Sequence, residues 1–205
     1  MSWSKVEHLA FAEVPERSAS EVLTAFPELF HDWLKISRQE VYFFVPPAGD
    51  HRFQPPALPV WLEYGSPIFY GIPSASNLHG FKAGDDIRTF DFDLKTEDRI
   101  PTPERLTAVR AYLAKRFPAL AKAPLQESRI CQYLNSPDGH FVIDRHPEAN
   151  NLWIAGAGTG HGFKLGPAVG EHLAQKIMLG EEGDPVFSIN RSQSTQKEFT
   201  QFKVD

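Results

Sequence analysis

The sequence predicts an α+β fold: a mixed, largely antiparallel sheet with helices on one face, followed by a C-terminal strand, glycine turn and helix. Three observations carry this. PVWLEYG (59–65), IFYGIP (68–73) and HGFKAGD (79–85) are short β-rich segments separated by Gly, Pro, Ser and Asn at close spacing, as in hairpins or a meander. Leu106, Val109, Leu113 and Phe117 recur at helical spacing behind Thr102-Pro103-Glu104, which supplies an N-cap, a proline at the first helical position and an acid in the first turn. NLWIAGAGTGHGF (151–163) reads as a buried strand entering a glycine-rich turn, and Leu165 to Leu179, with Gly180 as a stop, is the helix that follows.

The remaining elements fit around these. The opening twenty residues are polar and unpatterned. Ser18-Ala-Ser-Glu21 then forms a capping box ahead of a short helix that stops near Pro27, with another turn or two over 28–34. From Arg38 the period changes: Val41 to Val45 are strand formers that end at Pro46-Pro47, and 55–59 is a stiff connector. SRICQYL (128–134) and HFVID (140–144) are strands joined by the Asn135–Gly139 turn. The expected organisation is an N-terminal segment 1–37, a sheet-and-helix domain 38–150, a strand-turn-helix 151–180 and a polar tail 181–205.

Composition narrows the function classes. The 205 residues are 41% hydrophobic, and 21 basic against 26 acidic residues give a net charge of −5. That charge removes the attraction to phosphate on which nucleic-acid binders and polybasic membrane binders depend. No apolar run approaches the roughly 18 residues needed to cross a bilayer, and the first residues hold no signal-peptide core, so a cytoplasmic protein is expected. One cysteine, Cys131, excludes a disulfide framework and a cysteine-rich zinc site. No pair among His140, Asp144, His146 and His161 has the spacing of a known zinc site, so no metal is expected.

The glycine turn is the first candidate site, because a strand, turn and helix present backbone N–H groups and a positive helix end to an anion. It is not a dinucleotide fingerprint: the sixth residue is His161 counted from Gly156 and Phe163 counted from Gly158. Cys131 and Tyr133 are two apart on a strand and share a face. Lys82 stands between Gly80 and Gly84, whose small size lets a flat ligand approach the backbone. On residue patterns alone a core cysteine and an edge lysine are the more frequent explanations of Cys131 and Lys82, and a tight packing turn explains the glycines as well as an anion site does.

Taken in order, YGIP (70–73), HGFKAGD (79–85), CQYLNSPDGHFVID (131–144), HPEANNLWIAGAGTGHGFKLGPAVGEHLAQ (146–175) and VFSINR (186–191) resemble the C-terminal half of the FAD-dependent amine oxidases that include monomeric sarcosine oxidase and N-methyltryptophan oxidase, within the D-amino-acid oxidase superfamily. The likeness runs from about Arg38 to Arg191 and implies the substrate domain of such flavoenzymes. It further implies that Cys131 carries the flavin through a thioether and that Tyr133 borders the substrate pocket. Lys82 resembles the lysine that activates O₂ in this family, a role that makes physical sense because a fixed cation stabilises superoxide as it forms. Gly160 to Lys164, with His161, Gly162 and Phe163, resembles the loop under the flavin pyrimidine ring, Gly158 is expected among the cofactor-binding residues, and Lys164 is expected to reach the substrate carboxylate as well. A helix N-terminus and a lysine there favour the reduced, anionic flavin.

Two departures qualify these expectations. Asp86 occupies a pocket position where sarcosine oxidase-like members commonly carry histidine. Nothing in 1–37 resembles the dinucleotide-binding half that these longer oxidases possess. The resemblance therefore implies a partial FAD-dependent oxidoreductase acting on small secondary amines or amino acids, completed by a flavin-binding partner chain or by a homodimer through the apolar 151–180 surface. The alternative is a non-catalytic ligand-binding or self-associating module, and a weaker one is phosphate binding at the 156–163 turn.

Overall fold

The computed structural model describes residues 8–11 (backbone only), 29, 33–74, 80–90 and 100–191. The helix expected behind Ser18 lies outside them. The chain divides into two units, one of residues 38–131 and one of 1–37 with 132–203.

The 38–131 unit is built on a five-stranded sheet in the order β3-β4-β5-β2-β6. Its strands are β2 (Lys35–Phe44), β3 (Trp61–Glu63), β4 (Phe69–Ile72), β5 (Phe81–Asp85) and β6 (Leu125–Asn135), and the first residues of β2 and the last of β6 continue into the other unit. β3 with β4, β4 with β5 and β5 with β2 are all antiparallel, as the short turn-separated segments require. β2 and β6 each begin three residues before the apolar pattern does, because ladder pairing extends through polar residues such as Gln126 and Glu127.

Helix α1 (Pro103–Arg116) lies against one face of this sheet. Tyr42, Phe44, Phe81 and Ala83 from the strands and Val109 and Leu113 from the helix form the core, with Trp61, Tyr112 and Phe117 at its margin. Trp61 stacks on Tyr112 at 5.5 Å, and Tyr112 on Phe69 at 4.1 Å. Thr102 takes the N-cap position, but its hydroxyl makes no helix cap; it donates to Glu40 Oε1 (3.1 Å) while its backbone N–H donates to Glu40 Oε2 (2.8 Å). A carboxylate from β2 thus ties the start of α1 to the sheet, which no local pattern could announce.

In the second unit a three-stranded sheet runs β1-β8-β7. Here β1 (His8–Phe11) pairs in parallel with β8 (Ala149–Gly156), and β7 (Val142–His146) pairs antiparallel to β8. The strand at 8–11 corrects the expectation of an unpatterned opening: four residues are too few to show a period, and pairing with β8 defines the strand. Both faces of this sheet are covered. Ile143, Trp153 and Ala155 pack under Leu173 of helix α2 (Gly162–Leu179), whereas Val142 and Ile154 pack with Trp33, Leu34 and Leu134. The last of the described turns, at Pro185–Phe187, is held by Asp144, whose Oδ2 accepts from Ser188 Oγ (2.8 Å) and the Ile189 N–H (2.9 Å). Arg191 adds paired bonds to Asp138 at 2.6 and 2.9 Å. No helix among the described residues is long and apolar enough to cross a membrane.

Candidate active site

Alternation along β5 decides what each face of the five-stranded sheet presents. Phe81 and Ala83 point into the core beneath α1, so Lys82 and Gly84 take the opposite face. Neighbouring strands complete that face. Phe43 of β2 and Ile72 of β4 lie directly across from Lys82, and Tyr70 lies across from Gly84. The Lys82 ammonium sits 5.8 Å from the Tyr70 ring centroid. A side chain at position 84 would meet the Tyr70 phenol at 3.3 Å and the Glu40 carbonyl at 3.2 Å, so glycine is what allows Tyr70 to lie across the strand. On β6 the Arg129 guanidinium stands 5.0 Å over the Phe43 ring, and Cys131 is half-buried.

Electrostatics tie these groups together. Burial holds the Lys82 amine below the ordinary lysine value; the negative charge of a Cys131 thiolate opposes that shift and the Arg129 guanidinium adds to it. Lys82 and Cys131 are therefore brought together in one unit. Asp86 has its carboxylate engaged: Oδ1 accepts from Gln39 Nε2 at 3.0 Å and pairs with Arg88 Nε at 3.4 Å. Its neighbour Asp85 is buried, with Arg105 3.7 Å away, and burial pushes its carboxyl up against the pull of that arginine.

Tyr133 and the glycine turn belong to the other unit. Tyr133 is half-buried on β6 and its carbonyl accepts from Asn135 Nδ2 at 2.8 Å. The turn after β8 holds Ala157 at φ 57°, Thr159 at φ 49° and Gly160 at φ 82°, all left-handed, two of them non-glycine. Such strain persists where surroundings fix it. Here the Thr159 N–H donates to the Leu134 carbonyl (3.1 Å), and its hydroxyl donates to the Ala157 carbonyl (3.0 Å) and accepts from the Ser136 N–H (3.3 Å). The His161 N–H closes the turn on the Gly158 carbonyl at 2.8 Å, and its ring meets Phe141 edge-on at 5.2 Å.

α2 starts at Gly162, three residues earlier than the sequence suggests, because two glycines discount the predicted start. Gly162, Phe163 and Lys164 are thus its first turn. His161 provides no side-chain cap there and no acid lies in that turn, so its positive end is uncompensated. Gly162 is buried, Lys164 is exposed and Phe163 is 99% exposed. The positive end of α2 suits an electron-rich group, and in the other unit the partly desolvated Lys82 suits a developing anion. Sequence reading assigned no role to Tyr70 or Arg129; parity with Cys131 on β6 was the available signal for Arg129, whereas Tyr70 meets Gly84 only through the cross-strand register.

The family profile described as "DAO: FAD dependent oxidoreductase" matches residues 19–176. Monomeric sarcosine oxidase from Arthrobacter sp. (strain TE1826) is 35% identical over 145 residues, 69% of this chain and 35% of that protein. The one from Bacillus sp. (strain NS-129) is 39% identical over 140 residues, 66% of this chain and 35% of that protein. The chain thus spans about a third of the length of these curated relatives. Among solved structures, Amadoriase I from Aspergillus fumigatus superposes with a TM-score of 0.63 at 22% identity, covering 83% of this chain and 41% of that one. L-proline dehydrogenase from P. horikoshii gives 0.61 at 26% identity, covering 76% and 39%.

Proposed function

Since the chain belongs to the FAD-dependent oxidoreductase (DAO) family, of the sarcosine and amine oxidase type, we propose that it forms the amine-handling part of a flavin oxidase that acts on a small secondary amine or amino acid with O₂ as acceptor. The observation that carries the reading is Lys82, a partly desolvated cation beside Cys131 on the sheet face away from α1. When bound, FAD would supply the two-electron oxidation of the amine.

This chain's residues supply the surroundings. Cys131 would hold the flavin covalently. The Lys82 ammonium would stabilise negative charge developing on O₂, and its low-dielectric setting strengthens that interaction. The Gly158 to Lys164 segment would offer N–H groups and the positive end of α2 to the flavin pyrimidine, while Lys164 would also bind the substrate carboxylate. Tyr133 and Asp86 would border the substrate.

A partner belongs to the proposal. α2 exposes Phe163, Leu165, Met178 and Leu179, an apolar set that favours cover by a flavin-binding chain or a second copy.

The test is anaerobic mixing of the flavin-loaded protein with sarcosine and other secondary amines, followed by air. Bleaching of the flavin by an amine, with Lys82→Met slowing the return of colour about a hundredfold or more while leaving bleaching intact, supports the reading. Flavin that no amine bleaches overturns it.

A further inference from the structure

Arg129 projects from β6 onto the face that holds Lys82, two residues before Cys131. Its guanidinium covers the Phe43 ring at 5.0 Å, and Phe43 is the cross-strand partner of Lys82. Phe43 is buried, so the ring is an apolar spacer with a cation on one side and an amine across the strand on the other. Arg129 is about half exposed and donates to Glu127, which precedes it by two residues on β6.

We propose that Arg129, acting across Phe43, tunes the charge state that burial gives Lys82, with Glu127 as the brake on its charge, and is thereby a positioning residue for the reaction of this face. The inference rests on Lys82 being the working cation. Like charges separated by apolar material repel each other's charged forms, and an aromatic ring keeps water from screening them fully. Among the described residues of this unit, the other charged or titratable groups on that face of the packed strands are Tyr70 on β4, Cys131 on β6 and Asp86 beyond β5. Asp86 is engaged by Gln39 and Arg88. On β2 this face is apolar at Val41 and Phe43. Arg129 is thus the cation best placed to tune the amine, and Glu127 can be removed to change its effect without touching Phe43.

The readout is Lys82 itself. Reductive ¹³C-methylation of the purified chain's lysines gives one NMR signal per amine, and Lys82→Arg identifies the relevant one. Arg129→Met, which keeps apolar cover on Phe43, should raise the Lys82 titration midpoint by several tenths of a unit to about one unit at low salt, and 1 M salt should shrink the difference. Glu127→Gln should lower the midpoint and also serves if Arg129→Met does not fold. An unchanged or lowered midpoint in folded Arg129→Met, or an unchanged or raised one in Glu127→Gln, overturns the assignment. The titration needs no flavin, so its failure is separate from failure of the oxidase reading, which the bleaching assay tests.

Discussion

The two faces of the five-stranded sheet are made by alternate residues of the same strands, yet they do opposite work. Under α1, Phe81 touches Phe53, Trp61 and Phe117 with centroids 5.2 to 6.2 Å apart and is fully buried. One residue on, Lys82 leaves a partly open cation above Tyr70 and Phe43. The lesson is that β5 separates stability from chemistry by parity: odd positions 81 and 83 hold the fold, and even positions 82 and 84 are free to carry a site. Even the polar groups obey this division, since Asp85 turns toward Arg105 while Asp86 turns toward Gln39 and Arg88.

The largest expected effect comes from breaking the packed face. Phe81→Ala should cost about 3–5 kcal/mol in urea unfolding, since it empties a site ringed by aromatics; a loss under about 1 kcal/mol would mean α1 is not seated on that face. Next is a control in the other unit. Arg191→Ala removes the partner of Asp138 and should cost about 3 kcal/mol. Burial pushes the Asp138 carboxyl up, but the Arg191 hydrogen bonds and the His140 N–H outweigh it and hold the carboxyl at about 2. A carboxyl depressed below its unfolded value of roughly 3.9 contributes stability above that pH. That contribution is lost as pH falls from about 4 through about 2. The wild type should therefore lose melting temperature across that window, and Arg191→Ala should show a shallower fall.

Glu40→Ala comes third. It orphans the Thr102 N–H, its hydroxyl and the Tyr42 phenol, which donates to Glu40 at 2.5 Å, and should cost about 2 kcal/mol. The smallest effect belongs to the other face. Lys82→Met should change stability by less than about 1 kcal/mol in either direction, because it replaces a desolvated amine with an apolar chain of similar length. Equal losses for Phe81→Ala and Lys82→Met would erase the distinction between the faces.

Much of this was legible in the sequence because it is local. The hairpin segments appear as β3, β4 and β5, and the helix behind Thr102 as α1, since turn residues and helical spacing are written within a few positions. What was illegible is long-range. Glu40 takes the Thr102 hydroxyl away from its expected capping role across 62 residues. β1 exists through pairing with β8, more than 140 residues away in sequence. At the candidate site, motif resemblance singled out Lys82, Cys131, Tyr133 and Lys164 but not Tyr70 or Arg129. Those two matter only through the cross-strand register, which alternation suggests and only pairing fixes.

Whether the Lys82 and Cys131 face receives a flavin is read most directly from the mass of the Cys131 peptide, from protein produced in riboflavin-replete cells together with a flavin-binding chain. The expected result is a yellow protein whose Cys131 peptide keeps flavin mass after denaturation and loses it in Cys131→Ser. A colourless protein with an unmodified Cys131 peptide would contradict it.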